Sequence, residues 1–248
     1  MTTPWYVKSF GAAYLDLYAH RSDEEATGQI KAMLDLVKPD FAGPTLDLCC
    51  GAGRHLKALR ELGMQQLTGI DLSHDLLAVA ETELNGGDAD SVKIIQGDMR
   101  KIPQENYYAN IFSLFTSFGY FIDDAENTSV INGIYKSLKS DGYFLMDYLN
   151  RDFIIANLVP ENTVQSDGYS AHNKRWITAD GTRVEKKTVV TMNSGEVHEF
   201  NESVRMYSEN EMHEMCESAG FQQVKIYGGL VGEALSDDCT RMIITAVK

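Results

Sequence analysis

Residues 45–59 read TLDLCCGAGRHLKAL, and residues 67–73 read LTGIDLS. The first stretch is typical of an apolar strand, a tight glycine turn and a helix, and the second of another strand that ends on the acid Asp71. A strand, glycine loop, helix, strand and acid in this order is the arrangement with which α/β proteins hold a ribose-bearing cofactor. Asp71 lies 18 residues after Gly53, near the ~20 expected for an acid that accepts hydrogen bonds from ribose hydroxyls.

The glycine turn distinguishes between two classes of cofactor. A dinucleotide fingerprint has three glycines, G-x-G-x-x-G, and here Gly51 and Gly53 fit the first two positions while Leu56 takes the third. Asp47 ends the first predicted strand, and its carboxylate would repel a pyrophosphate but attract a ligand that carries an ammonium and a sulfonium. A nicotinamide-dependent enzyme is therefore the less favoured alternative.

The same turn carries a family resemblance. Residues 47–53, DLCCGAG, resemble motif I of the class I S-adenosylmethionine (SAM) methyltransferases, usually written D-x-G-x-G-x-G, with Cys49 where most members have glycine. Further segments match the family's later motifs in the right order, and these are Asp71-Leu72, Gly97-Asp98-Met99, 110–121, 141–145 and 218–221. The chain is most similar to bacterial small-molecule methyltransferases with a helical N-terminal cap and a β lid, such as amino-sugar N-methyltransferases.

This resemblance implies a fold and a cofactor. The fold is α/β: a doubly wound, mostly parallel, seven-stranded sheet with an N-terminal helical cap and an antiparallel β insertion. The cofactor is SAM, with S-adenosylhomocysteine as its product. Asp71 would hold the ribose, Leu72 would lie beside the adenine, and Asp98 would take the adenine amino group. The full set of expected cofactor contacts is Tyr14, Asp47, Cys49, Gly51, Gly53, Arg54, Asp71, Leu72, Asp98, Met99, Leu114 and Phe115.

The order of apolar segments predicts one domain over residues 1–248. Helices are expected over 10–19 and 23–38, which form the N-terminal cap, residues 1–40. Strands and helices then alternate, which is typical of a parallel, doubly wound sheet. The pattern changes to β-rich over 160–207, between the fifth strand and the last helix, and the resemblance implies that this insertion is a lid.

Several strand boundaries follow from the same pattern. The first strand is expected over 46–50 and the fourth over 111–115. Within the insertion, Arg183–Met192 and 197–207 predict an antiparallel hairpin around the turn at 193–195, with a further strand over 174–178. The last two strands are expected over 223–227 and Arg241–Val247.

The methyl acceptor is less well defined by the sequence. Methyl transfer from a sulfonium is an in-line displacement, so the protein mainly aligns donor and acceptor. Tyr120, after the fourth strand, is the candidate catalytic residue, with packing in a Phe-rich loop as the alternative. Tyr18, Ser117, Tyr120 and Arg151 are the candidate acceptor contacts. The histidines have no metal-ligand spacing, and no metal is expected.

Composition narrows the class of acceptor. The formal net charge is −14, which disfavours RNA or DNA as the acceptor. The family resemblance, with its lid-like insertion, implies a small molecule methylated at nitrogen or oxygen. There is no signal peptide, no membrane span and no C-x-x-C, which predicts a cytoplasmic protein with reduced thiols. A monomer and a homodimer both stay open, since lid hairpins can pair between subunits. The alternatives are an RNA or protein methyltransferase and a SAM-binding protein that does not catalyse.

Overall fold

The computed structural model describes residues 3–11, 23–85 and 92–248. The helices in these ranges are α1 Trp5–Ser9, α2 Asp23–Val37, α3 Arg54–Glu61, α4 His74–Asn85, α5 Asp124–Ser137, α6 Arg151–Asn157 and α7 Glu209–Ala219. The strands are β1 Pro44–Leu48, β2 Gln66–Asp71, β3 Lys93–Gln96, β4 Tyr108–Ser113, β5 Leu138–Leu149, β6 Glu161–Gln165, β7 Tyr169–Ile177, β8 Arg183–Met192, β9 Val197–Arg205, β10 Gln222–Tyr227 and β11 Arg241–Val247.

The main sheet has the strand order β10-β11-β5-β4-β1-β2-β3. β1 to β5 pair in parallel, whereas β11 runs antiparallel to both β5 and β10. The predicted doubly wound, mostly parallel seven-stranded sheet is therefore confirmed. Because parallel strands share a direction, the residues that follow β1 to β5 all lie along one edge of the sheet.

Two apolar clusters cover the two faces of this sheet. One cluster includes side chains of α2, α3 and α4, and the other includes side chains of α5 and α7. β1 and β4 are buried along their whole length, as expected for central strands between two helical layers. Each fully buried Leu, Ile or Phe contributes about 1.5–3 kcal/mol, so the sheet is a rigid base for the loops at its carboxyl edge. No helix in the described ranges has the length and apolar character needed to cross a membrane.

The N-terminal segment differs from its prediction. A helix was expected to begin at Phe10, but α1 comes earlier, over Trp5–Ser9, and the chain bends at Phe10. The rest of that prediction, together with Tyr14 and Tyr18, lies in 12–22, outside the described residues. α2 ends close to its predicted boundary before Pro39.

Two strands end earlier than their apolar residues suggested. The first strand was expected to reach Cys50 but ends at Leu48, because Cys49 takes a left-handed backbone conformation with φ 67°. The fourth was expected to reach Phe115 but ends at Ser113, and Phe115 has φ 60°. A left-handed residue cannot continue a strand, and both exceptions fall at the carboxyl edge of the sheet.

The insertion is a larger structure than the predicted hairpin. β6 to β9 form a separate antiparallel sheet in that order, which we call the insertion sheet. The hairpin of β8 and β9 is confirmed, but β7 is longer than the predicted third strand, and β6 was missed. β6 reads ENTVQ and is mostly exposed, so it lacks the alternation of apolar residues that identifies a strand.

Candidate functional site

A cavity of about 300 Å³ opens at the carboxyl edge of the main sheet. Its wall joins residues that are far apart in sequence but follow β1, β2, β3 and β4. Most of the predicted site residues line it, namely Cys49, Gly51, Arg54, Asp71, Leu72, Asp98, Met99, Leu114, Phe115, Ser117 and Tyr120. The wall also includes residues that were not predicted, namely Tyr6, Val7, Phe10, His55 and Leu76.

The turn after β1, residues 49–53, is fastened to the end of β2, and we call it the glycine loop. The Gly51 N–H donates to Asp71 Oδ2 over 2.9 Å, and the Ser73 N–H donates to Asp71 Oδ1 over 2.8 Å. Burial raises the pKa of Asp71, although these backbone hydrogen bonds act to lower it. Each carboxylate oxygen retains a second lone pair, so Asp71 has the capacity to accept two hydroxyl hydrogen bonds from a ligand in the cavity.

Asp47 does not line the cavity. It lies on β1, between Gly69 of β2 and Phe112 of β4, and is only 1% exposed. Its Oδ2 has no hydrogen-bond partner, which is costly for a buried carboxylate. Burial, together with the nearby Asp71, raises the pKa of Asp47 to about 7. Asp47 is therefore a buried acid close to the glycine loop, rather than a wall residue as its motif position suggested.

Gly53 also lies off the cavity wall. It has φ 83° and precedes α3, and a Cβ at this position would lie 2.8 Å from Leu84 Cδ1 and 3.1 Å from Ala80 Cβ. The need for glycine here comes from its positive φ and from the close approach of Ala80 and Leu84 of α4, rather than from the approach of a ligand.

Asp98, at the turn after β3, is paired with a neighbouring arginine. Arg100 Nε donates to Asp98 Oδ1 over 3.0 Å, and the same guanidinium pairs with Glu126 and lies 4.3 Å from the ring centre of Phe121. Burial acts to raise the pKa of Asp98, but the hydrogen bonds and charge of Arg100 outweigh it and lower the pKa below its usual value. Asp98 is therefore an ionised acceptor in the cavity wall.

Two sulfur atoms meet in the same part of the wall. Cys49 Sγ lies 3.9 Å from Met99 Sδ. Burial, and then the charge of Asp71, raises the pKa of the Cys49 thiol well above its usual range. The thiol is therefore neutral, and it contributes a soft, polarisable surface rather than a nucleophile.

Residues 114–121 follow β4 and form the opposite side of the cavity; we call them the 114–121 loop. Phe115 and Thr116 are both left-handed, with φ 60° and 55°, which is unusual for a β-branched residue such as Thr116. The Thr116 N–H donates to the Asp147 carbonyl over 2.9 Å, and the Asp147 carboxylate pairs with Arg241 over 3.0 Å. These contacts from β5 and β11 hold the loop in a strained conformation.

Aromatic rings surround Tyr120 in this loop. Its ring centre lies 4.9 Å from that of Trp5 and 5.8 Å from that of Phe10, and Tyr6 contacts Phe121 edge to face at 5.6 Å. Of the N-terminal aromatic residues, Tyr14 was the predicted cofactor contact, and it lies outside the described residues. In the described residues, Tyr6 of α1 and Phe10, which follows α1, supply the N-terminal rings in this side of the cavity wall.

Arg151 is not part of the cavity wall. It begins α6, a helix that was not predicted, and its Nη1 lies 3.6 Å from Glu211 Oε2. The prediction that Arg151 contacts the acceptor rested on its position after β5, but in the structure its side chain pairs with Glu211 of α7. Among the described residues, no group of three His, Cys, Asp or Glu side chains is arranged to hold a metal ion.

Gly119 provides a direct test of how tightly the 114–121 loop is packed. It has φ 84°, and a Cβ would lie 2.9 Å from the Arg205 carbonyl oxygen and 3.1 Å from Tyr148 Oη. We expect Gly119→Ala to lower the free energy of unfolding by about 3 kcal/mol, and thermal denaturation should show a Tm lower by roughly 6–12 °C. The matched control is Gly28→Ala in α2, where nothing lies within 4 Å of the new Cβ; this helical substitution should stabilise the protein by about 0.5–1 kcal/mol. Equal Tm values for the two variants would contradict this packing.

The residues of the cavity fit SAM. The orphaned buried carboxylate of Asp47 and the acids Asp71 and Asp98 favour a positively charged ligand. Asp71 has lone pairs for ribose hydroxyls, and the apolar wall around Leu72 and Met99 suits an adenine ring.

Comparison with known proteins places the chain in a family. The sequence profile of a family described as a methyltransferase domain matches residues 41–220. Two curated Streptomyces enzymes are each 24% identical to the chain. One is the dTDP-3-amino-3,6-dideoxy-alpha-D-glucopyranose N,N-dimethyltransferase of S. fradiae, aligned over 202 residues that cover 78% of this chain and 76% of that enzyme. The other is the dTDP-3-amino-3,4,6-trideoxy-alpha-D-glucopyranose N,N-dimethyltransferase of S. venezuelae, aligned over 229 residues that cover 89% and 93%.

A solved structure shares the fold. The CcbJ methyltransferase from Streptomyces caelestis superposes with a TM-score of 0.80 at 17% sequence identity, and the alignment covers 99% of this chain and 98% of that one. Since the matching family profile spans more than half of the chain and the expected fold is present, the protein belongs to the methyltransferase-domain family and is a class I, SAM-dependent methyltransferase.

Proposed function

We propose that this enzyme methylates the amine of a small, polar molecule of the amino-sugar class. The observation that carries the proposal is the composition of the two sides of the cavity. Acids line the glycine-loop side, and the aromatic rings of Phe10, Tyr120 and Phe121 line the other side. Aromatic faces pack well against a carbon ring and attract an ammonium group. The two Streptomyces relatives described above are N,N-dimethyltransferases of dTDP-linked amino sugars, which supports an acceptor of this chemistry.

The proposed cofactor contacts follow the sides of the cavity. Asp71 would accept from the ribose hydroxyls, Asp98 would accept from the adenine amino group, and Leu72 and Met99 would flank the ring. Arg54, at the start of α3, would meet the carboxylate of the methionine part. Leu114 and Phe115 would flank that part from the opposite wall. Gly51 would allow the methionine part to approach the glycine loop closely, and Cys49 would lie beside that part. The buried carboxylate of Asp47, on β1, would supply negative charge near it.

The protein's part in the transfer is to orient the acceptor. When bound, SAM supplies a methyl group on a sulfonium, and the new N–C bond forms as the C–S bond breaks and its electron pair leaves on sulfur. Tyr120 Oη would accept a hydrogen bond from the amine and so direct the nitrogen lone pair into the cavity, and Ser117 would contact the remainder of the acceptor. The released proton passes to solvent.

The other parts of the chain have proposed roles as well. We infer one domain over 1–248, in which the N-terminal cap, 1–40, and the insertion, 160–207, close over the acceptor. Ser9 Oγ of α1 donates to the Asn201 carbonyl of β9 over 2.7 Å and accepts from the Asn201 N–H over 3.2 Å, so the cap and the insertion sheet support one another. The net charge of −14 disfavours a nucleic acid as acceptor; the assembly would be a monomer or a homodimer.

A panel of matched acceptors tests the proposal. Pairs of small sugars that differ only by an amine or a hydroxyl at one carbon are incubated with enzyme and SAM, and S-adenosylhomocysteine and methylated product are measured by mass spectrometry. We expect product with amines and none with their hydroxyl partners. Product with the hydroxyl partners alone, or with tRNA alone in a salt-sensitive manner, would overturn the choice of acceptor.

Tyr120→Phe tests the proposed role of the hydroxyl. Removing a positioning hydrogen bond should lower kcat for the amine about 10- to 100-fold and leave the dissociation constant of SAM unchanged. Steady-state kinetics and calorimetry separate the two effects. The control is Tyr107→Phe, an exposed tyrosine before β4 that does not line the cavity. If Tyr120→Phe has the wild-type kcat, the ring only packs in the loop.

A further inference from the structure

Arg183 reaches from the insertion sheet to the wall of the cavity. It is the first residue of β8 and is only 8% exposed. Its guanidinium Nη1 donates to the Phe121 carbonyl over 3.0 Å, and Nη2 donates to the Gly119 carbonyl over 3.1 Å. Both carbonyls belong to the 114–121 loop, whose side chains Tyr120 and Phe121 line the cavity.

The other side of the same guanidinium is anchored within the insertion sheet. Arg183 Nε donates to Ser203 Oγ over 2.8 Å, and Nη2 donates to the Ser203 carbonyl over 2.8 Å. Ser203 Oγ in turn donates to Glu185 Oε1 over 2.8 Å. One planar group therefore joins strands β8 and β9 to the cavity loop, with hydrogen bonds on both sides.

The charge of Arg183 is held in an unusual way. Its guanidinium donates to backbone carbonyls and to a hydroxyl, rather than to a carboxylate, among the residues that the structure describes. Burial lowers the pKa of Arg183, and the nearby charge of Glu185 opposes this. Burying a cation costs desolvation free energy, so a buried arginine is weak evidence for a gain in stability. The presence of Arg183 at this position therefore favours a role in fixing the loop.

The loop needs such support because its backbone is strained. Phe115 and Thr116 have positive φ, which is strained for residues other than glycine. The Gly119 carbonyl accepts from Arg205 N over 2.8 Å, and the Phe121 carbonyl accepts from Asn127 Nδ2 over 3.0 Å. Arg183 adds a further donor to each of these two carbonyls, on either side of Tyr120.

We propose that Arg183 is a positioning residue for methyl transfer: it fixes the carbonyls on either side of Tyr120, so that the insertion sheet sets the geometry of the acceptor. This inference rests on the proposed function, in which the 114–121 loop holds the acceptor. The planar fork of arginine reaches two carbonyls and Ser203 together, whereas lysine presents a single ammonium and cannot do so. The cofactor side of the cavity does not depend on Arg183.

The test compares Arg183→Ala and Arg183→Lys with Arg175→Ala. Arg175, in β7 of the same sheet, donates its side-chain hydrogen bond to Asn162 of β6 rather than to the 114–121 loop, so it controls for the loss of an arginine from this sheet. We expect both Arg183 variants to lose about 10- to 100-fold in kcat/KM for the amine while the dissociation constant of SAM changes less than about 2-fold. Added guanidinium ion should restore part of the activity of Arg183→Ala but not that of a Tyr120→Phe control.

A readout without acceptor separates this inference from the proposed function. Hydrogen exchange, measured by mass spectrometry on peptides that cover 114–122, should be faster in Arg183→Ala than in wild type, while exchange over 45–73 stays the same. Faster exchange in the absence of any amine methylation by the wild type would refute the proposed acceptor but retain the loop contact. Wild-type kcat/KM in both Arg183 variants, or unchanged exchange over 114–122, would overturn the inference. If Arg183→Ala does not fold, Arg183→Lys carries the same comparison.

Discussion

Asp71→Ala is expected to raise the dissociation constant of SAM by at least about 100-fold. The carboxylate accepts the Gly51 and Ser73 N–H groups, so its removal releases the glycine loop from β2 and also deletes the proposed acceptor for the ribose hydroxyls. A hydrogen bond to a charged group contributes about 1.5–3 kcal/mol, and the loss of two such bonds to ribose is about 3 kcal/mol or more, which corresponds to this change in affinity. Isothermal titration calorimetry with SAM measures it directly.

Two variants control this experiment. Asp35→Ala removes an exposed acid from α2 and so changes the net charge of the protein by the same amount. It should bind SAM with wild-type affinity, because the effect of Asp71→Ala comes from lost hydrogen bonds and not from net charge. Asp71→Asn keeps the shape but lacks one acceptor oxygen, and its dissociation constant should lie between those of wild type and Asp71→Ala. Wild-type affinity in Asp71→Ala would show that the ribose lies elsewhere.

Asp47 is expected to make the stability of the ligand-free enzyme depend on pH. Its pKa is about 7 in the folded protein and 3.8 in the usual exposed state. Because the folded pKa is the higher one, the folded state keeps its proton while the unfolded chain loses it, so the free energy of unfolding falls as the pH rises from about 4 to 7. The difference between the folded and unfolded pKa values of Asp47 corresponds to a fall of roughly 4 kcal/mol in the free energy of unfolding.

Asp47→Asn should remove this dependence. The amide stays neutral, so the free energy of unfolding should be flat over the same pH window, apart from other groups. After the cost of a buried amide with unmade hydrogen bonds, about 1–3 kcal/mol, the variant should be more stable than wild type at pH 8, with a Tm higher by roughly 5 °C. Thermal denaturation from pH 4 to 8 measures both profiles.

The same variant should bind SAM more weakly. An ionised Asp47 beneath the cavity attracts a cationic ligand, so wild-type affinity should increase as the pH rises through 7, and Asp47→Asn should not show that increase. Parallel pH profiles of affinity and stability in the two proteins would show that the buried carboxyl has no part in either effect.

Much of the fold follows from local pattern. The buried runs at Leu46, Ile70 and Ile111, separated by helical periods, predict parallel strands, and their order places the residues after each strand on one edge. That edge contains Gly51, Asp71 and Asp98, and the structure brings their segments together around one cavity. These features depend on residues that are close in sequence, so the spacing of apolar residues, glycines and acids is enough to predict them.

The features that the sequence did not predict depend on distant contacts. Cys49 and Phe115 end their strands by left-handed backbone conformations, which residue type alone does not favour. Asp47 is buried between β2 and β4, and contacts with the neighbouring helix α4 leave no room for a side chain at Gly53. Arg183 contacts Gly119 and Phe121, more than sixty residues away, and no local pattern identifies such a pair.

The contacts of the cavity can be tested most directly by a crystal structure with S-adenosylhomocysteine. We expect electron density for the ligand in the cavity, with the ribose hydroxyls on Asp71 and the adenine between Leu72 and Met99. We also expect the methionine part to lie along the glycine loop, facing Tyr120. Density at any other surface, or a ligand in the cavity whose ribose does not contact Asp71, would contradict this expectation.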